Sequence, residues 1–166
     1  CERGYLKVRN GSGLANNIRR SFIEDGCSVI LKVREPNGLY EPGFGPGIRL
    51  LWSDGQEVGM TAWEWGPDHQ KDRFRAFGPD VEKWGDLPAT RNWMRIDLAA
   101  EAVALKTSTD GKTWRDVVSV PRANLSGPPA ELVIGHGNMQ DGLLQQFFYS
   151  SFFDEVIVSR PIQATA

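Results

Sequence analysis

The sequence predicts an all-β domain in which short antiparallel strands form a sandwich or a barrel. The chain contains 18 Gly and 10 Pro, together with six Trp and eight Phe. Glycine and proline interrupt regular elements, while Trp and Phe favour the pleated surface of a sheet. Strand-like stretches also recur at intervals of roughly 8–15 residues with turn residues between them, and this spacing is typical of sandwiches and barrels.

Each predicted strand is an apolar or alternating stretch that ends at turn residues. Alternation is strongest in 27–35, and Asp54-Gly55 and Asp110-Gly111 predict turns between paired strands. The segments 36–46 and 78–90 contain several glycines and prolines, so both are expected to be loops. In chain order, the expected strands are 4–10, 17–23, 27–35, 47–52, 58–65, 73–77, 93–98, 102–108, 114–120, 131–135 and 150–159.

Length and charge restrict the class of protein. A chain of 166 residues predicts a single domain over 1–166. The 19 Lys and Arg residues against 21 Asp and Glu give a net charge of −2, which supplies no basic field, so nucleic acid is not an expected partner. No apolar run approaches the ~18–20 residues that a membrane helix needs, so no membrane span is expected.

Five residues form the candidate carbohydrate-binding set. Strand alternation places Trp63 and Trp65 on one face of their strand, Arg73 and Arg75 on one face of the next, and Arg49 across the hairpin. Aromatic rings stack on sugar faces, and guanidinium groups donate hydrogen bonds to hydroxyls. In the alternative arrangement, the tryptophans fill the core and the arginines are ordinary solvated charges.

The other tryptophans have different expected roles. Trp52 shares a face with Ile48 and Leu50, and Trp114 shares one with Val118, so both are expected in the core. Trp84 lies in the expected loop 78–90, where it either contacts a ligand or fills space beneath the loop.

The two cysteines, Cys1 and Cys27, leave two alternatives open. They form a disulfide, which would indicate an oxidising compartment, or they are unpaired thiols with Cys27 packed in a strand.

Several motifs give the chain a resemblance to a known superfamily. The hairpin sequence Ser-Thr-Asp-Gly-Lys-Thr-Trp at 108–114 and the closing sequence Phe-Asp-Glu-Val at 153–156 are its most specific parts. With the strands around 4–8, 93–96 and 132–135, they make the chain similar to the concanavalin A-like lectin/glucanase superfamily, and within it to laminin-G-like jelly-roll domains. The resemblance implies an antiparallel β-sandwich of two sheets, a jelly roll in which one concave sheet often binds carbohydrate.

The resemblance also implies a function, a location and a metal. Many such domains are non-catalytic glycan-binding or accessory modules of secreted, extracellular or periplasmic proteins, with a polysaccharide or glycan as partner. Some hold a structural Ca²⁺ through the Asp of the last strand, here Asp154. The alternatives are a glycoside hydrolase or polysaccharide lyase with an unfamiliar site, and a structural or protein-interaction domain.

Catalytic residues are not evident in the sequence. The β-glucan-cleaving members of the superfamily carry a Glu-x-Asp-x-x-Glu pattern on one strand, and this chain has none. Retaining hydrolysis needs two carboxyl groups about 5 Å apart. Asp80 and Glu82 have a suitable spacing, but they lie in the expected loop 78–90. No catalytic residue is therefore assigned, and the sequence favours a non-catalytic domain over an enzyme.

Overall fold

The computed structural model describes residues 6–9, 17–21, 26–34, 46–63, 73–86, 92–136 and 150–159. It describes side chains for 26–33, 47–61, 74–85, 93–134 and 157. In these parts of the chain the regular structure is almost entirely β, with one short 3₁₀ turn at Arg122–Asn124. None of the helices found there is long and apolar enough to cross a membrane.

The described ranges form twelve strands. In chain order they are β1 (Leu6–Arg9), β2 (Asn17–Ser21), β3 (Ser28–Arg34), β4 (Pro46–Leu51), β5 (Glu57–Trp63), β6 (Arg73–Gly78), β7 (Val81–Asp86), β8 (Asn92–Leu98), β9 (Ala102–Ser108), β10 (Arg115–Pro121), β11 (Glu131–His136) and β12 (Ser150–Ser159).

The strands form two antiparallel sheets of six. The first sheet has the order β1-β12-β3-β8-β9-β10, and the second has the order β2-β11-β4-β5-β6-β7. Each sheet combines local hairpins, such as β4–β5 and β9–β10, with pairings between strands that are distant in sequence, such as β3 with β12 and β4 with β11. The chain is therefore an antiparallel β-sandwich, as the sequence predicted.

The hydrophobic core is built from alternate residues of both sheets. Leu31 and Ile96 contribute from the first sheet, and Ile48, Met60 and Ala76 from the second, all fully buried in one cluster. Alternation explains the pattern, because successive side chains of a strand point to opposite faces and only one face of each sheet meets the other. The opposite face of each sheet points away from this core.

Two expectations from the sequence are corrected by the structure. The segment 78–90 is not a loop throughout, because 81–86 forms β7, which pairs with β6 along its whole length. Trp114 is not in the core: it is half-buried and lies against Arg95, with the guanidinium carbon 5.4 Å from the ring centre. Trp52 is in the core as predicted, where its indole N–H donates to the carbonyl of Gly127.

Cys27 is a free thiol in the structure and is buried in the core cluster. Cys27 lies just before β3, and Cys1 is outside the described residues. Burial among apolar side chains makes a thiol inert rather than reactive.

Candidate functional site

The face of the second sheet that points away from the core carries a group of polar and aromatic side chains. We call it the outer face. Its residues occupy the positions of β4–β7 that alternate with core residues such as Ile48, Met60 and Ala76. The outer-face residues whose side chains carry the site are Arg49, Glu57, Thr61, Arg75, Phe77, Glu82 and Trp84.

Arg75 lies at the centre of a stacked, ion-paired arrangement. Its guanidinium carbon is 5.2 Å from the ring centre of Phe77 and 5.7 Å from that of Trp84. Its Nη2 donates to Oε2 of Glu82 at 2.9 Å, and the indole N–H of Trp84 donates to Oε1 of the same carboxylate at 2.6 Å. We call these four residues the Arg75 cluster.

The strand register explains why the Arg75 cluster forms. In the β6–β7 hairpin, Arg75 lies directly opposite Trp84 and Phe77 directly opposite Glu82. Directly opposed side chains of an antiparallel pair lie within about 4.5–5.5 Å at Cβ, and diagonal ones remain within reach of long side chains. One hairpin therefore brings all four side chains together.

Glu82 is held in its charged form. The hydrogen bond from Arg75 and the charge of that guanidinium lower the pKa of Glu82, against a smaller opposing effect of desolvation, and the Trp84 indole lowers it further. The carboxylate thereby fixes both the arginine and the indole. Trp84 nevertheless remains 41% exposed to solvent.

A glycine beneath Phe77 lets the aromatic ring lie close to the sheet. Gly59 is directly opposite both Phe77 and Arg49 in the register. A Cβ at Gly59 would lie 2.8 Å from Cζ of Phe77 and 2.6 Å from Cβ of Arg49, closer than real side chains approach. The missing side chain thus makes room for the ring and for the Arg49 side chain, which pairs with Glu57 at 3.4 Å.

Two buried polar atoms of the outer face have no hydrogen-bond partner. They are the hydroxyl oxygen of Thr61 and Nε of Arg75. Thr61 is only 2% exposed, and it lies directly opposite Arg75 across β5 and β6. An unsatisfied buried donor or acceptor costs about 1–3 kcal/mol, so two neighbouring ones call for an explanation. Both atoms are closed to solvent, so nothing in their described surroundings satisfies them.

The face of the first sheet that points away from the core also has tryptophans beside cations. There, however, the carboxylate of Asp97 has several partners. Asp97 accepts from Ser28 at 2.5 Å and from Arg95 at 2.5 Å, and it pairs with Lys106 at 3.1 Å. Burial works to raise the pKa of Asp97, but these hydrogen bonds outweigh it and the pKa is lowered. None of the unpartnered atoms described above lies on this face.

The predicted site residues are brought together to different extents. Arg75 and Arg49 both lie on the outer face, as alternation predicted. In the register, Trp63 is opposite Arg73, and both positions fall on the face opposite Met60, although their side chains lie outside the described part. Trp65 lies outside the described residues altogether.

Three members of the Arg75 cluster were not in the candidate set from the sequence. Glu82 and Trp84 were considered only as loop residues, because 78–90 was expected to be a loop, and Phe77 was not singled out in its predicted strand 73–77. The missed signal is Pro79-Asp80: Gly78 pairs with Val81, so these two residues make the whole turn, and Asp80 has a φ of 57°. Proline followed by a residue with positive φ is the pattern of a type II turn, which can join two strands.

The described carboxyl groups that have a shifted pKa are all held in the charged form. Where a carboxyl pKa departs from its ordinary value in these residues, it is lowered, as for Asp54, Glu82, Asp97 and Asp110. A general acid needs the opposite shift. Asp80 and Glu82 do not form a matched pair, because Asp80 is exposed in the turn while Glu82 is committed to Arg75 and Trp84.

The calcium site stays a prediction. Asp154 lies in β12 at the irregularity where the pairing with β3 passes from Phe153 to Glu155, and its side chain is outside the described part. Among the described residues, no three His, Cys, Asp or Glu side chains lie together in a group that could hold a metal. A Ca²⁺ ion needs six to eight oxygens, which Asp154 alone does not supply.

No protein-family model and no curated protein matches this sequence. Solved structures do resemble it. A mutant of the GH43 protein BlXynB from Bacillus licheniformis is similar with a TM-score of 0.71 and 16% identity, over 95% of this chain and 33% of that one. The catalytic domain of an endo-1,3-beta-glucanase (laminarinase) from Thermotoga petrophila has a TM-score of 0.61 and 14% identity, over 95% and 77%. A functionally unknown protein from Saccharomyces cerevisiae has a TM-score of 0.62 and 12% identity, over 98% and 91%.

These likenesses establish the fold. The chain has the concanavalin A-like sandwich fold, as its motifs indicated. It spans about a third of the length of the GH43 protein and most of the length of the other two. Because one fold hosts many functions, the function has to be argued from the outer face itself.

Proposed function

We propose that this domain binds carbohydrate on the outer face of its second sheet and does not cleave it. The observation that carries the proposal is the 41% exposed ring of Trp84, which Glu82 holds on the outer face close to the unpartnered Thr61 hydroxyl and Arg75 Nε. An aromatic surface next to unsatisfied hydrogen-bonding groups matches the two chemical features of a sugar ring, its apolar C–H face and its rim of hydroxyls.

Each component of the outer face has a defined role in this proposal. The Trp84 ring stacks on a sugar face, and Glu82 holds the ring in place through the indole N–H. Arg75 is kept rigid by stacking and by Glu82, so it donates from Nε at little cost in side-chain entropy. Thr61 supplies a hydroxyl that can donate or accept.

The proposed site extends to the residues singled out from the sequence. Trp63 and Arg73 follow Thr61 and Arg75 along the same face, and the register continues through Asp86 on β7. Arg49 belongs to the far side of the same surface. A row of aromatic and arginine positions across neighbouring strands suits an extended chain of sugars, such as a polysaccharide outside the cell or in the periplasm.

The non-catalytic part of the proposal is supported by the electrostatics of the described carboxylates. The pKa of Glu82, the acid nearest the stacked tryptophan, is lowered, first by the hydrogen bond from Arg75. A carboxylate held in the charged form by its neighbours does not release a proton to a leaving group at neutral pH. Its role here is to position Arg75 and Trp84.

The proposal is tested by affinity electrophoresis in gels that contain soluble polysaccharides. We expect at least one polymer to retard the wild-type protein without release of reducing sugar. Trp84→Ala should lower the affinity roughly tenfold or more, which corresponds to a loss of about 1.4 kcal/mol of stacking. Trp63→Ala tests the extension of the site in the same gels.

Trp114→Ala is the matched control. Trp114 is also a partly exposed tryptophan beside an arginine, but it lies on the first sheet. Trp114→Ala should be retarded as strongly as the wild type. Trp84→Ala and Trp114→Ala should both melt close to the wild-type temperature. Equal loss in the two variants, or loss in Trp114→Ala alone, contradicts the assignment to the outer face. Release of reducing sugar would instead favour a glycoside hydrolase, and a specific protein ligand without any polysaccharide binding would favour an interaction domain.

A further inference from the structure

The charges of the outer face determine which class of glycan it can accept. We propose that the ligand is a neutral glycan, recognised through its hydroxyls, and not an acidic polysaccharide. This inference rests on the proposed function and deepens it by naming the ligand class. The outer face carries four arginines, which alone would favour an acidic ligand such as a uronate or a sulfate. Whether these arginines are already paired with acids therefore determines the ligand class.

The two arginines of this face whose side chains are described, Arg49 and Arg75, are each paired with a glutamate. Arg49 pairs with Glu57 at 3.4 Å, and Arg75 pairs with Glu82 at 2.9 Å. In each pair the acid is the more exposed partner: the side-chain exposure is 36% for Glu57 against 14% for Arg49, and 43% for Glu82 against 20% for Arg75. A ligand that approaches from solvent therefore meets carboxylate before guanidinium.

The strand register extends this balance over the whole sheet. The described strands place four arginines on the outer face and four acids, so their formal charges cancel. Arg73 lies directly opposite Asp86 in the register of β6 with β7. The arginines are Arg19, Arg49, Arg73 and Arg75, and the acids are Glu57, Glu82, Asp86 and Glu131.

An acidic polysaccharide would be opposed on this surface. The carboxylates of Glu57 and Glu82 would repel it, and displacing Glu82 from Arg75 would also release the Trp84 indole. Like charges brought together at an interface oppose binding. No gain of equal size is available, because each described guanidinium already has its carboxylate.

The unpartnered atoms point to hydroxyl groups as the ligand chemistry. Arg75 Nε–H can only donate, and the Thr61 hydroxyl can donate and accept. The exposed carboxylate oxygens nearby can only accept, so they need a donor from the ligand. Sugar hydroxyls both donate and accept, whereas an ionised carboxylate or sulfate only accepts. A neutral sugar with neighbouring hydroxyls therefore satisfies more of this surface.

The test compares neutral and acidic polymers at low and high salt. Affinity gels contain xylan, mixed-linkage β-glucan or galactomannan as neutral ligands, and polygalacturonate, alginate or heparin as acidic ones. We expect retardation by at least one neutral polymer, with an affinity that changes less than twofold between 20 and 500 mM NaCl. Acidic polymers should not retard the wild-type protein.

A charge variant makes the test sharper. The double variant Glu57→Gln/Glu82→Gln removes the two acids that neutralise Arg49 and Arg75, so it should gain salt-sensitive retardation by acidic polymers. The control Glu101→Gln/Asp116→Asn makes the same change in net charge at exposed positions away from the outer face, and it should gain none.

The outcomes separate this inference from the proposed function. Strong, salt-sensitive binding of wild type to an acidic polymer, lost in Trp84→Ala, would overturn the neutral ligand class and leave the binding face intact. Equal gain of acidic binding in the two charge variants would show a general charge effect and would also overturn it. If no polymer of either class retards the protein, both the ligand class and the carbohydrate-binding function are wrong.

Discussion

Two hydroxyl side chains are buried among the described residues, and their hydrogen bonds differ. Ser108 donates to Asp110 and accepts from the backbone N–H groups of Asp110 and Gly111, so it fixes the turn between β9 and β10. Thr61 has no partner for its hydroxyl and lies on the outer face beside Arg75. The Thr61 hydroxyl therefore contributes no hydrogen bond to the folded protein.

This difference predicts opposite effects of removing the two hydroxyls. Thr61→Val keeps the shape of the side chain and removes an unsatisfied group, so stability should stay level or rise by up to about 1 kcal/mol. Ser108→Ala leaves turn donors without their acceptor and should cost about 1–3 kcal/mol. Urea unfolding of both variants measures the two free energies of unfolding.

Carbohydrate affinity completes the comparison of the two hydroxyls. Thr61→Val should bind the retarding polymer more weakly than wild type, while Ser108→Ala should bind it normally under conditions where it is folded. A loss of stability above 1 kcal/mol in Thr61→Val would mean that its hydroxyl is already satisfied in the free protein, and the ligand role would then lose its main support.

Among the strands, β7 is the one on which the proposed carbohydrate-binding site most depends. This edge strand carries Trp84 and Glu82, and it closes the face beside Arg75. On its other face, Gly85 lies directly opposite Phe74, whose ring occupies the space that a side chain at Gly85 would need. The glycine is therefore required for β7 to lie flat against a buried phenylalanine.

A side chain at Gly85 should loosen this edge of the sheet. Gly85→Ala forces the Phe74 ring to move within the core, and overpacking of this kind typically costs 1–3 kcal/mol. Ser119→Ala on the exposed edge strand β10 is the control and should change stability by less than about 0.5 kcal/mol. Thermal unfolding measures both, and a neutral Gly85→Ala would show that β7 is not packed as described.

The same strand shows where sequence reasoning succeeds and where it ends. Alternation predicted β9 at its observed bounds and assigned Phe74 and Arg75 to opposite faces, because each pattern lies within one strand. It failed for β7, where Gly and Pro mark a tight turn and a close contact instead of a loop. Whether Gly and Pro mark a tight turn or a loop depends on which strands pair there. The periodicity within one segment does not indicate that pairing.

The site residues follow the same division. Arg75 and Arg49 were correctly placed on the face opposite the core because their own strands alternate clearly. The partners that give Arg75 its role, Trp84 and Glu82, come from the next strand and become visible only with the register. Trp114 was misplaced for a related reason, since its position just before β10 brings its ring against Arg95 and not into the core.

At the scale of the whole molecule, the two sheets present similar groups in different states. Each has a tryptophan beside an arginine: Trp84 with Arg75 on the second sheet, and Trp114 with Arg95 on the first. Arg95 is occupied by Asp97 and Ser28, whereas Arg75 keeps an unpartnered Nε next to Thr61. The two faces carry similar residues, and the unpartnered Nε of Arg75 distinguishes one from the other.

The most direct test of carbohydrate binding at the outer face is an NMR titration with an oligosaccharide of the retarding polymer. The arginine Nε–H and tryptophan indole N–H signals of the ¹⁵N-labelled protein are assigned with the Arg75→Lys, Trp84→Phe and Trp114→Phe variants. We predict that the signals of Arg75 Nε–H and Trp84 shift in proportion to ligand occupancy, while those of Trp114 and the buried Trp52 stay in place. Binding that moves the Trp114 signal and leaves Arg75 and Trp84 unchanged would contradict the assignment and place the site on the other sheet.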